Sequence, residues 1–212
     1  MQTIQANNYP VHFNEKGYEA LNSHLKTTKY SNVFIITDSN TNEYCLHKFL
    51  PYLETDLIIE IIEFEAGEIN KNIDTCIEVW KVLTDLGADR KSLVINLGGG
   101  VVTDLGGFVA STFKRGVDFI NIPTTLLSMV DASVGGKTGV DLGNLKNQIG
   151  VINVPTMVLI DTQYLETVPQ NELRSGLAEM LKHGLIFDKN YWEQFLDIST
   201  IDFSDLDLLI HR

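Results

Sequence analysis

The chain has 212 residues, 44% of them hydrophobic and 21% charged, which is enough apolar content for a substantial core. Sixteen Lys and Arg against 28 Asp and Glu give a net charge of −12 and a pI near 4.7, a balance that disfavours nucleic acid and anionic membrane surfaces as partners. No apolar run approaches the roughly 18 residues of a membrane span. The N-terminus lacks the basic flank and apolar run of a signal peptide. Cys45 and Cys76 have no disulfide-framework or CxxC spacing. A cytoplasmic protein with two reduced thiols is expected.

The pattern then alternates along the chain. "NVFIITD" (Asn32–Asp38) predicts a buried strand, and "DLIIEIIEFEAGE" contains a second. "NKNIDTCIEVWKVLTDLG" spaces Ile73, Ile77, Trp80 and Leu83 as a helix, closed by Gly87. "KSLVINLGGG" predicts a strand running into glycines, and "TDLGGFVASTF" the helix after it. "DFINIPTT" and "TMVLIDT" predict two more strands. Repeated strand–helix alternation predicts a Rossmann-like α/β domain with a parallel sheet over residues 1–166. From Thr167 the pattern turns helical, with Pro169 placed in a first turn and Ser204 as a later N-cap. About 45 helical residues make a thin domain. Residues 167–212 therefore read as the first helices of a larger helical domain, cut short at Arg212.

Four segments offer chemistry. Gly98, Gly99 and Gly100 stand between a strand and a helix, where backbone N–H groups can approach a diphosphate. Thr103 holds the third glycine position of the usual dinucleotide fingerprint, so a ligand-free tight turn stays open as the alternative. Asp104 lies one turn into that helix. "GEINK" (Gly67–Lys71) follows a strand and precedes a helix; Glu68 suits a ribose and Lys71 a phosphate, or the loop is merely solvated. "PTTLLSMVDASVGGKTGVDLGNLKNQIG" is too irregular for one element and reads as a long ordered loop. With the preceding Lys114 and Arg115 it gathers Asp131, Lys137, Lys146 and Asn147, suited to a small anionic substrate or, more plainly, surface charge. Its "GGKT" is not a phosphate-binding P-loop, because Asp131 occupies the required first glycine. Finally, "RSGLAEMLKHG" puts Glu172, Ser175, Glu179, Lys182 and His183 near one helix face. Glu179 and His183 have the i, i+4 spacing of two metal ligands, with an ion pair as the plainer reading of His183.

Together these motifs resemble the 3-dehydroquinate synthases of the sugar-phosphate cyclase family. The likeness spans roughly Asp38 to Phe187, through "GGGVVTDLGGFVAS", "KRGVDFINIPTTLLSMVDASVGGKTGVD", "LKNQIG" and "SGLAEMLKHGLI". It implies an NAD site of Asp38, Asn40, Glu68, Lys71, Gly99, Gly100, Val101, Asp104, Thr124, Thr125, Lys137, Lys146, Thr167 and Glu172. It implies a substrate pocket of Arg115, Asp131, Lys137, Asn147 and Lys182, with Glu179 as one ligand of a divalent metal (zinc, or cobalt instead). In the family the other ligands are two histidines of a C-terminal helical domain. Their HxFGH-type motif does not occur in this chain, and His183 is not expected to stand in for them. The implied reaction is the NAD- and metal-dependent cyclisation of 3-deoxy-D-arabino-heptulosonate 7-phosphate to 3-dehydroquinate with loss of phosphate. A sugar-phosphate substrate, a homodimer in the full-length form and weak activity of this chain alone are further expectations. The rivals are a valiolone- or inosose-type cyclase and a glycerol-dehydrogenase-like oxidoreductase.

Overall fold

The apolar runs of the sequence pair into one sheet. In a computed structural model, which describes residues 2–6, 8–196, 210 and 211, the chain begins with strands β1 (Ile4–Gln5) and β2 (Pro10–Phe13) and helix α1 (Asn14–Thr27). Strand β3 (Val33–Asp38) leads into an irregular helical run over 39–52, then strand β4 (Ile59–Phe64) and helix α2 (Ile73–Asp85). Strand β5 (Leu93–Gly98), helix α3 (Gly100–Thr112) and strand β6 (Asp118–Pro123) follow. Strands β7 (Lys137–Leu142) and β8 (Leu145–Ile152) precede β9 (Met157–Ile160), after which helices α4 (Gln170–Phe187) and α5 (Lys189–Glu193) end the described succession.

Seven strands form the main sheet in the order β1-β2-β9-β6-β5-β3-β4. Only β1 runs antiparallel to its neighbour; the other pairings are parallel. A parallel sheet covered on both faces needs strands that are apolar on both sides, and β3 and β5 are buried at every position. Alternate residues of β3 enter different cores. Val33 and Ile35 pack with Leu21 and Leu25 of α1, whereas Phe34 and Ile36 pack with Val79 of α2 and Leu105 of α3. Strand β4 lies at the sheet's edge, with Ile58 and Ile61 exposed beside Glu60, Glu63 and Glu65.

Every predicted strand and the first two predicted helices form where the sequence places them. Gly87, in the left-handed region at φ 77°, ends α2 as expected. Pro169 differs by one position, standing as the N-cap of α4. The long loop expected over 123–150 is a correction. It is a π-helical turn, Ser128–Ala132, followed by the antiparallel hairpin β7–β8, which packs Val140, Ile149 and Val151 against the α2–α3 core. Ser204 and the helix expected from it lie outside the described residues. Cys45 and Cys76 are buried and unpaired, and burial pushes their thiols up to about 11 and about 12. Among the described residues no helix is long and apolar enough to cross a membrane.

Two asparagines interrupt the apolar centre. Asn96 on β5 donates from Nδ2 to Asn121 Oδ1 on β6 (2.9 Å), and Asn121 Nδ2 donates to the Ser133 carbonyl (3.2 Å). The Asn96 amide fits because Gly106 of α3 lacks a side chain: a Cβ there would stand 2.0 Å from Asn96 Oδ1. Gly106→Ala should therefore cost about 1–3 kcal/mol from overpacking, outweighing the gain of about 1 kcal/mol in helix propensity. Asn96→Ala by itself leaves the buried Asn121 Oδ1 without its donor, but in that background Gly106→Ala should cost little further. Urea unfolding of the three variants measures this; a Gly106→Ala chain as stable as the parent would show that the amide simply rotates away.

Candidate functional site

The direction of chain progression reverses at β3: β4 lies on one side of it and β5 on the other. Open α/β sheets bind ligands outside the carboxyl ends of their strands at such a switch point. At these ends stand Asp38 on β3, the Gly67–Lys71 loop after β4, Gly99 and Gly100 after β5, and Thr124 and Thr125 after β6. Most of the expected cofactor residues are thus gathered by topology alone.

Gly99 is the N-cap of α3, and no side chain caps that helix. Its first N–H groups remain available, and the helix dipole adds positive potential there. The turn is tight against its surroundings. A Cβ on Gly99 would lie 3.1 Å from Thr125 Cγ2, and one on Gly100 would lie 3.4 Å from Ala132 Cβ. Backbone exposed at a helix N-terminus suits a phosphate or diphosphate. Half-buried Val101 continues the same turn.

Lys71 lies beside this turn with its side chain only 5% exposed. Its Nζ donates to Asp104 Oδ2 (2.6 Å) and Asn147 Oδ1 (2.7 Å). Burial raises the Asp104 carboxyl above its usual range, and the Lys71 ammonium opposes that shift. Asn147 reaches Lys71 because the β7–β8 hairpin folds over the Gly67–Lys71 loop. Lys146 on the hairpin pairs with Glu68 (2.9 Å), and this contact raises the Lys146 ammonium. Asn147, expected in the substrate pocket, therefore joins two expected cofactor residues.

A second group forms where α4 meets the Ser128–Ala132 turn. Ligand atoms of Asp131, Glu179 and His183 all lie within 4.8 Å of one another. His183 Nε2 is 3.2 Å from Glu179 Oε1, and Lys182 Nζ donates to that same oxygen. This hydrogen bond raises the Lys182 ammonium. Glu179 suits a divalent metal as a partly buried carboxylate donor, with Asp131 beside it. The contact between Glu179 and His183 agrees with the plainer reading of that histidine.

The remaining expected residues make fewer contacts with these two groups. Asp38 Oδ1 is engaged in a capping box with Thr41, while Asn40 is exposed. Thr167 and Glu172 are exposed around the start of α4, and Glu172 accepts from Asn171 (3.0 Å). Lys137 is exposed at the start of β7, so its "GKT" opens a strand and not the helix a P-loop requires. Arg115, at φ 74°, is not brought to the cluster. It follows α3 and precedes β6, on the amino side of the sheet, about 20 Å along the helix from Gly100. A cleft of about 710 Å³ lies around Tyr18 and Tyr52, away from these groups, and one of about 560 Å³ adjoins the second group, lined by His183, Met129 and Val130 with Phe13 and Tyr191; neither includes Gly100, Asp104 or Lys137. Asp141 was missed in the sequence, although it touches both Lys71 and Asn147. Its only signal there was a carboxylate placed just before a glycine turn.

The sequence and the fold both have known relatives. The family model described as 3-dehydroquinate synthase N-terminal matches residues 61–175, more than half of the chain. The chain belongs to the 3-dehydroquinate synthase family. The 3-dehydroquinate synthase of Parabacteroides distasonis is 44% identical over 194 residues, covering 90% of this chain and 54% of that protein. The chain spans about half the length of the curated relatives it matches. A 2-deoxy-scyllo-inosose synthase, solved with carbaglucose-6-phosphate, NAD+ and Co2+, superposes with a TM-score of 0.88 at 26% identity, covering 99% of this chain and 61% of that one. A 2-epi-5-epi-valiolone synthase from Streptomyces hygroscopicus, solved with NAD+ and Zn2+, gives 0.80 at 28%, covering 100% and 57%.

The Lys71 cluster separates stability from ligand binding. Lys71→Met would strand the partly buried Asp104 carboxylate and should cost about 3 kcal/mol in denaturant unfolding. Adding Asp104→Leu removes both charges and should restore most of that stability. Parent-like stability of Lys71→Met alone would show that the pair is not a stabilising element.

Proposed function

We propose that this chain carries the NAD-binding part of a 3-dehydroquinate synthase. The reaction would be the cyclisation of 3-deoxy-D-arabino-heptulosonate 7-phosphate to 3-dehydroquinate with elimination of phosphate, a carbon–oxygen lyase step of the shikimate pathway. One observation carries the reading: the uncapped glycine turn of α3, the Lys71–Asp104–Asn147 cluster and the Asp131–Glu179–Lys182 group come from different elements of one fold, ordered around the carboxyl ends of a single sheet. Residues 1–166 would form the cofactor domain, and residues 167–212 the beginning of a helical metal- and substrate-binding domain.

In this reading the N–H groups of Gly99, Gly100 and Val101 bind the cofactor diphosphate. Thr124 and Thr125 border the same turn, and Glu68, Lys71, Asp104 and Lys146 orient the rest of the cofactor. Asp38, Asn40, Thr167 and Glu172 form the outer margin. NAD would take up and return a hydride at the substrate, and a divalent metal (zinc or cobalt) held in part by Glu179 would polarise the hydroxyl being oxidised. Lys137 and Lys182 would offset the charges of the sugar phosphate, while Asp131 and Asn147 orient its hydroxyls. Arg115, at the far end of α3, would contribute from a second copy of the chain in the expected homodimer. A cytoplasmic setting completes the proposal.

A sister cyclase has less support. The curated relative named 3-dehydroquinate synthase reaches 44% identity, whereas the inosose and valiolone synthases stand at 26% and 28%. Calorimetric titration of the 212-residue chain with NAD+ tests the cofactor reading directly. Binding should be saturable, and Gly100→Ala, whose Cβ fits at van der Waals contact with Ala132, should weaken it about tenfold by keeping the backbone from the diphosphate, with no loss of melting temperature. With the heptulosonate phosphate and a divalent metal, any turnover should release phosphate without accumulating NADH. Absence of NAD+ binding by the folded parent would refute the cofactor assignment; net NADH formation would favour a dehydrogenase.

A further inference from the structure

Asp141 stands where the β7–β8 pairing shifts register, between Val140 and Leu142. Such irregularities redirect a residue out of the ladder, and they recur beside functional sites. Here Asp141 meets both sides of the Lys71 cluster. Its main-chain N–H donates to the Lys71 carbonyl (2.9 Å), and an isolated parallel bridge joins it to Asn72. Its Oδ1 accepts the main-chain N–H of Asn147 (2.7 Å). Asn147 has φ 53°, in the left-handed region that asparagine tolerates but does not prefer. In that conformation its Oδ1 takes the Lys71 ammonium at 2.7 Å, opposite Asp104 at 2.6 Å.

The hairpin's reversal does not need this carboxylate. Leu142 already pairs with Leu145, and Gly143 at φ 59° supplies the turn between them. The Asp141 side chain instead reaches past the closed turn to a residue six positions on. We propose that Asp141 is a positioning residue: its carboxylate holds Asn147 in the left-handed conformation, so that Asn147 fixes the Lys71 ammonium beside Asp104 for the cofactor. The last step rests on the proposed NAD site; the hold on Asn147 does not.

The test uses the 212-residue chain with Asp141→Ala, Asp141→Asn, Asn147→Gly and the double variant Asp141→Ala/Asn147→Gly. Hydrogen exchange at the residue 147 amide, melting temperature and NAD+ affinity are the readouts. Asp141→Ala should speed exchange at that amide and weaken NAD+ binding by about tenfold, the scale of a lost charge-assisted hydrogen bond. Asp141→Asn keeps an acceptor oxygen and should rescue both. Glycine needs no support at φ 53°, so in the Asn147→Gly background Asp141→Ala should lower neither stability nor affinity further. If Asp141→Ala alone fails to fold, a folded double variant still supports the proposal, and an unfolded one overturns it. Unchanged exchange at residue 147, failure of Asp141→Asn to rescue, or a full additive loss in the double variant also overturns it. A parent chain that binds no NAD+ refutes the cofactor step, while exchange at residue 147 still decides whether Asp141 holds Asn147.

Discussion

Lys71 keeps its ammonium almost wholly out of water, between the Asp104 carboxylate and the Asn147 amide oxygen. A buried cation is tolerable only when its partners are in place, because desolvation costs several kcal/mol per ion before any attraction is counted. The three residues belong to the loop after β4, the first turns of α3 and the strand β8. A shift in any one of these elements would leave a charge or a polar group unpaired. The site is therefore tied to the position of the hairpin, although the hairpin lies outside the main sheet.

The sheet itself explains why these elements meet. Reversal of strand order at β3 leaves the loops after β4 and β5 on either side of a crevice. Helix α3 starts at that crevice without a side-chain cap, so its free N–H groups face the same region as Lys71. The buried Asn96–Asn121 pair extends the order to the next layer, since Asn121 also grips the Ser133 carbonyl just past Asp131. Polar groups so deep in a core confer geometry more readily than net stability.

Much of this was legible in the amino-acid pattern. The apolar runs at Val33–Asp38, Leu93–Gly98 and Met157–Ile160 announce buried strands because a parallel sheet hides both faces. The glycines after β5 mark the turn at which the backbone is bare. The hairpin over 137–152 escaped notice for the opposite reason. Six of the eight residues in β8 are exposed, so glycine, lysine and asparagine replace the alternation that would betray a strand. The N-terminal β2 and α1 were likewise unassigned; three residues of β2 find their partners only at β9, some 150 positions later. Arg115 shows a different limit. Residues near in sequence to a motif can stand at the opposite end of a helix, and spacing alone does not say which end faces the ligand. Asp141 acts through a main-chain N–H six residues on, a relation that no residue-type pattern records.

Among the described residues the edge strand β4 pairs on one side only, and it shows Ile61, with Ile58 just before it, to solvent, an invitation to sheet extension between molecules. Glu60, Glu63 and Glu65 along and just past that strand turn neighbours away by like charge, in keeping with the overall balance of −12. Near the pI of about 4.7 the net charge of the whole chain vanishes, and with it the general repulsion between molecules, while the bare backbone stays in place. Concentrated stocks of this chain therefore belong at neutral or mildly alkaline pH and modest ionic strength, where electrostatic repulsion still reaches across the gap between molecules.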